Sequence, residues 1–133
     1  MSKINVHYIK TPTSVIKGGK TSNVMLTWNA SFGSKRSINF NNAQMFVDAT
    51  ALSLCDPLVP LDSGTLKKSG VLFTVVGSGQ IIYKTPYARK MYYNPQFKFT
   101  GSPMRGAYWF ERMKKSGGMQ TLLQGARKVA EAK

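Results

Sequence analysis

Apolar residues recur along this chain with two different periods. Lys3–Ile9 alternates, placing Ile4, Val6 and Tyr8 on one face, and Val24–Trp28 alternates again through Val24, Leu26 and Trp28. Alternation marks a strand with one buried face, so two strands are expected, paired with each other. Between them Thr11–Ser22 holds Pro12, Gly18, Gly19, Lys17 and Lys20. It reads as a mobile basic loop around 11–22. Ser31–Ser37, with Phe32, Gly33, Lys35 and Arg36, reads as a turn.

The first helical pattern spans Asn41–Cys55. Asn41 can cap it and Gln44 can reach back to the cap. Met45, Ala49 and Leu52 share one stripe, and Pro57 and Pro60 stop the helix. After the Asp62-Ser63-Gly64 turn, Thr65–Gly70 reads as a loop carrying Lys67 and Lys68. Val71–Val76 and Gln80–Lys84 flank Gly77-Ser78-Gly79, which predicts a β-hairpin in the core sheet. Thr85 and Pro86 can open a short helix over Tyr87–Tyr93, with Ala88, Met91 and Tyr92 inward and Arg89, Lys90 and Tyr93 outward. Gln96–Gly106 reads as an irregular loop and Ala107–Lys115 as another helix, broken at Gly117-Gly118. Met119–Glu131 repeats Met119, Leu122, Leu123, Ala126, Val129 and Ala130 at helical spacing. The expected fold is α+β: a small antiparallel β-sheet with a central hairpin, packed by a middle helix and a C-terminal amphipathic helix, in one domain over residues 1–133.

Charge changes this picture. Lys and Arg number 19 against 5 acids, a net charge of +14. Such a surface is attracted to polyanions: nucleic acid, an acidic membrane or an acidic partner protein. Catalytic chemistry is thin by contrast. His7 is the only histidine and sits in an alternating strand, where a structural or surface role is expected. Cys55, the one cysteine, lies among Leu52, Leu54 and Leu58 and reads as a buried small hydrophobe. A Cys–His pair has no local motif behind it. The five acids, Asp48, Asp56, Asp62, Glu111 and Glu131, are scattered, which suits neither a zinc site nor a two-metal nuclease. Gly77-Ser78-Gly79 lacks the longer loop and Gly-Lys-Ser/Thr ending of a phosphate loop. The start, MSKINVHYIK, has no apolar signal-peptide core, and no run reaches the ~20 apolar residues that a membrane span needs. Folding in the cytoplasm is expected, with no cofactor and no small-molecule substrate.

Tyr87, Tyr92, Tyr93, Phe97 and Phe99 alternate with Lys84, Arg89, Lys90 and Lys98. Base stacking on such rings is one reading; core or subunit-interface packing is the other and the stronger. Three successive aromatics, Tyr108-Trp109-Phe110, cannot all face one way on a helix, so one ring must be exposed, meet a partner, or pack under the preceding loop.

Val59-Pro60-Leu61-Asp62-Ser63-Gly64-Thr65-Leu66, Lys68-Ser69-Gly70, Ile82-Tyr83-Lys84-Thr85-Pro86-Tyr87-Ala88-Arg89 and Tyr92-Tyr93, followed by a Trp109–Lys114 helix, resemble the minor capsid proteins of tailed bacteriophages, of the neck or tail-completion kind. The resemblance runs from Asn41 to Lys133. It implies a structural, non-enzymatic virion protein assembled in the bacterial host cytoplasm. It would be a homo-oligomeric ring in the neck, between the portal-side head-completion proteins and the tail terminator, with double-stranded DNA passing nonspecifically and no membrane. Relatives commonly begin with a strand and then a longer helix, and the first forty residues here depart from that. Lys67, Lys68, Arg89 and Lys90 are the expected contacts to DNA or a partner ring. Tyr87, Tyr92, Tyr93 and Trp109 are the expected core or intersubunit aromatics. A small basic nucleic-acid-binding module is the alternative, and a ribonuclease toxin relying on Arg89 and Tyr92 a more distant one.

Overall fold

The computed structural model describes residues 9–61, 63–99 and 101–132. Apart from Ile9, the strand expected at Lys3–Ile9 lies outside them. The class is α+β as expected: a two-stranded antiparallel sheet joined to a helical body. Its strands are β1 (Val15–Gly18) and β2 (Asn23–Leu26), with Val15 opposite Leu26 and Lys17 opposite Val24. A third of the expected basic loop, Val15–Gly18, is therefore strand. Val24–Leu26 pairs with this segment, and the turn is closed by Gly19 N–H donating to the Ser22 carbonyl at 2.7 Å.

Helix α1 (Phe32–Cys55) begins nine residues before the expected Asn41, so Ser31–Ser37 is its first turns and not a separate turn. The start is fixed locally. Asn29 Oδ1 accepts from Ser31 N–H at 2.9 Å and from Ser31 Oγ at 2.8 Å, and Phe32 N–H donates to the Asn29 carbonyl. Trp28 packs on Phe32 with ring centroids 5.0 Å apart. Residues 9–11 cross this end: Gly33 N–H donates to Thr11 Oγ1 and Ile9 N–H to Ser37 Oγ. A Cβ at Gly33 would collide with the Ile9 carbonyl, which is why glycine stands there. The departure expected over the first forty residues is therefore smaller than the sequence suggests: a 24-residue helix follows a strand here too, with a hairpin before it. At its far end α1 tightens into a 3₁₀ turn, Asp56–Leu58, around Pro57.

The central hairpin at 71–84 is the main correction. Helix α2 (Thr65–Phe73) begins where the left-handed Gly64 (φ 83°) turns the chain, and it runs through the expected first strand. Glycine stands at position 70 of this helix because a side chain there would meet the Tyr83 ring and Leu52. Residues 74–84 then return as irregular chain. Only Thr74 imitates a ladder rung: its Oγ1 accepts from Ile82 N–H at 3.0 Å and donates to the Ile82 carbonyl at 3.3 Å.

Helix α3 (Ala88–Tyr93) has Ala88 buried and Arg89, Lys90 and Tyr93 exposed, as the spacing predicts. Thr85 does not cap it with its side chain; Ala88 N–H takes the Thr85 carbonyl, and Thr85 Oγ1 is buried without a partner. Helix α4 (Trp109–Met113) widens into a π turn, Lys114–Gly118, where Gly117 takes φ 96°. Helix α5 (Met119–Ala130) follows and packs along α1. The core gathers Ala51, Cys55, Leu58, Val59, Leu66, Ala88, Trp109, Met113 and Leu122. Middle and C-terminal helices pack on each other, and the sheet is no part of this core.

Candidate assembly surface

An open groove of about 530 Å³ lies where α1, α3, α4 and α5 meet the 79–83 segment. Its wall is aromatic, built on Trp109. That ring is 3% exposed, meets Tyr92 edge-on at 4.7 Å between centroids, and meets Tyr83 at 5.4 Å. Tyr92 in turn contacts Tyr93 at 5.0 Å and Tyr108 at 5.5 Å, all near-perpendicular. Edge-to-face pairs of this kind add to simple burial by placing a ring's positive edge on its neighbour's negative face. The cluster depends on one strained residue. Tyr108 adopts a left-handed backbone (φ 51°, ψ 39°), the only non-glycine residue with positive φ among those described. Its N–H donates to the Tyr92 carbonyl at 3.0 Å, which ties α4's start to α3. That bond and the ring contacts offset the steric cost of the conformation. Burial raises the Tyr92 and Tyr83 hydroxyl pKa values and pushes the Cys55 thiol up to about 11, so none is a ready base or nucleophile.

One acid lines the groove, and it faces inward. Asp48 is 3% exposed; its Oδ2 accepts from Gly77 N–H at 2.8 Å and Gly79 N–H at 2.9 Å, and its Oδ1 from Gln44 Nε2 at 2.9 Å. Two amides, one on each side of Ser78, aimed at one carboxylate hold the Gly77-Ser78-Gly79 turn against α1. The sequence marked that turn but gave no sign of its anchor.

The candidate contact residues are not one patch. Arg89, Tyr92, Tyr93 and Trp109 all line the groove. Tyr93 is exposed, Tyr92 half-buried and Trp109 core, while Tyr87 packs half-buried against the core. Lys90 stands outside the groove over the Phe97 ring, 5.8 Å from its centroid. Lys67 and Lys68 line a different recess with Asp56, Val71 and Leu72, and Lys67 is paired to Asp56 at 3.0 Å. Two cations that sequence reasoning passed over are structural. Arg105 donates through Nη1 to the carbonyls of Asp56 (2.9 Å) and Val59 (2.7 Å). Arg112 donates to those of Ala107, Met104 and Leu58. Together they staple the 101–108 loop onto the end of α1. Lys114 and Arg127 pair with Glu111 and Glu131. Among the described residues no group of three or more His, Cys, Asp or Glu is placed to hold a metal, and no helix is long and apolar enough to cross a membrane.

This arrangement offers contact surfaces: an aromatic groove with an arginine in its lining, and cations that have no carboxylate partner among the described residues. No curated protein and no solved structure matches the chain. A family model described as "Minor capsid protein" matches residues 24–129, most of the chain, and so the protein belongs to a phage minor capsid family.

Proposed function

We propose that this protein is a ring subunit of the phage neck. It would join the portal-side head-completion complex to the tail terminator and surround the channel through which DNA passes. The family supports a structural role in the virion. The observation that carries the finer reading is the aromatic groove, open to solvent and lined by Arg89 and Tyr93. Tyr, Trp and Arg are the side chains that interfaces favour. A groove on one copy that receives a different face of the next is a heterologous contact, and such contacts close into rings. The chain acts in this reading as one α+β domain. Exposed Lys68, Arg89 and Lys90 face DNA or an adjoining ring, attracting a phosphate backbone without reading sequence.

The test is immunogold labelling of virions together with mass measurement of the purified protein and of its Arg89→Glu/Tyr93→Ala variant. The expected outcome is label at the head–tail junction and a discrete multiple of the 14.7 kDa chain. The variant should fall back to monomer while keeping the parent's helical circular-dichroism spectrum. Label over the shell or the tail tip, or a protein monomeric alone and with its neck neighbours, would overturn the reading. The exposed unpaired cations also favour a second one, a sequence-nonspecific nucleic-acid-binding module. That reading requires the monomer to bind random duplex DNA tightly, with affinity falling steeply as salt rises.

A further inference from the structure

The β1–β2 hairpin is built like the interior of a sheet but stands outside the body. Val15, Lys17, Val24 and Leu26 share one face, and Ile16 and Met25 the other. All five of the large apolar residues are 48–71% exposed. A strand apolar on both sides, such as Val24-Met25-Leu26, is the pattern of one covered on both faces. Both outer edges of the two-stranded sheet are unpaired among the described residues. A lone hairpin is marginally stable at best in water; it gains stability when further strands and an apolar surface are added.

Charge selects what covers it. The first 47 residues carry six Lys or Arg and no acid, and Lys17 and Lys20 lie in the hairpin itself. Among the described residues another copy of this chain has no acid without a cation or amide already on it. Its described acids are already engaged: Asp48 inside the body, and Asp56, Glu111 and Glu131 in ion pairs. Docking the hairpin on another copy would set Lys17 and Lys20 against a chain of net charge +14. Lipid cannot satisfy open backbone edges. DNA would answer the lysines but would leave five large apolar side chains uncovered.

We infer that the hairpin is a docking arm for a different protein. The partner presents an acidic rim and a strand edge flanked by apolar side chains, and the arm joins it by adding strands. This stands on the hairpin and does not require the ring reading.

The solution experiment uses the full-length protein and two synthetic strands, one alternating Glu and Val and one alternating Lys and Val. Amide exchange is followed at residues 15–18 and 23–26. The Glu-Val strand should slow exchange there at least tenfold and the Lys-Val strand should not. Lys17→Glu/Lys20→Glu should abolish the protection without moving the melting temperature, because the hairpin lies outside the core. Random duplex DNA and phosphatidylglycerol vesicles should leave these amides unprotected. The idea fails if the two strands protect equally or not at all, or if DNA or vesicles protect instead. It also fails if the charge-reversed variant self-associates more than the parent, which would mean that the arm's true site lies on a second basic copy. A variant lacking residues 2–8 must respond like the parent; loss of the response would assign the hairpin's cover to the chain's own N-terminus. In assembled particles, a photo-crosslinking residue at Ile16 or Met25 should attach to an acid-rich peptide of another protein. Attachment to a second copy overturns the inference.

Discussion

Asp48 is the most demanding test of how this fold is held. A carboxylate removed from water without a cation beside it is normally costly. Here the compensation is three donors, Gly77 N–H, Gly79 N–H and Gln44 Nε2, at 2.8–2.9 Å. A surrounding chain of net charge +14 adds to it. Asp48→Asn keeps the shape and can keep both amides on its one oxygen, while Gln44 turns its own amide to suit. What changes is charge assistance, a loss of roughly 1 kcal/mol for each of two bonds, or about 2 kcal/mol in all. Asp48→Ala removes every acceptor and leaves the buried Gly77 N–H unsatisfied, so about 4 kcal/mol is expected. For a chain of this length each kcal/mol corresponds to about 3–5 °C. Melting followed by circular dichroism should therefore fall by about 6–10 °C for Asn and about twice that for Ala. Amide exchange at Gly77 should quicken in both. If Asp48→Asn melts at or above the parent's temperature, desolvation outweighs the donors and the reasoning is wrong.

Arg105→Lys should cost about 1–2 kcal/mol, since an ammonium cannot reproduce the planar donor that spans the Asp56 and Val59 carbonyls; equal melting of Lys and Arg forms would refute this. Gly125→Ala should loosen α5 from α1, because the added methyl runs into the Phe46 ring. A loss of about 1–3 kcal/mol by urea unfolding is expected, against the gain that helix propensity alone would give. Cys55 titrates from an ordinary 9.0 up to about 11 in the fold. A raised pKa gives stability that is full below pH 9.0 and lost as pH climbs through about 11. A Cys55→Ala variant should show a flatter stability curve across that window.

How far the sequence could be read follows from where its pattern met its packing. Helix α5 was legible because most of its apolar stripe, Leu122, Ala126, Val129 and Ala130, is at least half-buried while Met119 and Leu123 stay exposed, and α3 because Ala88 packs inward while Arg89 and Lys90 face solvent. The start of α1 was not, because Ile38, Phe40 and Met45 are exposed and leave no clean stripe to read. The Val71–Val76 run misled for the opposite reason. It has the composition of a buried strand, yet Val71 and Leu72 are 65% and 77% exposed on a helix. The helix seats Leu66, Ser69 and Gly70 inward and leaves the apolar run outside, and no local pattern encodes that seating. Within the groove, Arg89 and the tyrosines could be named from their spacing. Asp48 and the two carbonyl-binding arginines could not, since their partners are mostly backbone groups, several of them 29 to 54 residues away in the chain.

The glycine that interrupts the last helices has a mechanical consequence. In a continuous helix, one inserted residue turns everything downstream by about 100°. Gly117, at φ 96° with open space where a side chain would point, breaks that transmission between α4 and α5. The azimuth of α5 is therefore set by its seat on α1 and not by the phase of the helix before it. Length changes at residues 116–118 can be absorbed there, whereas the same change inside α1 would rotate one wall of the groove away from the other.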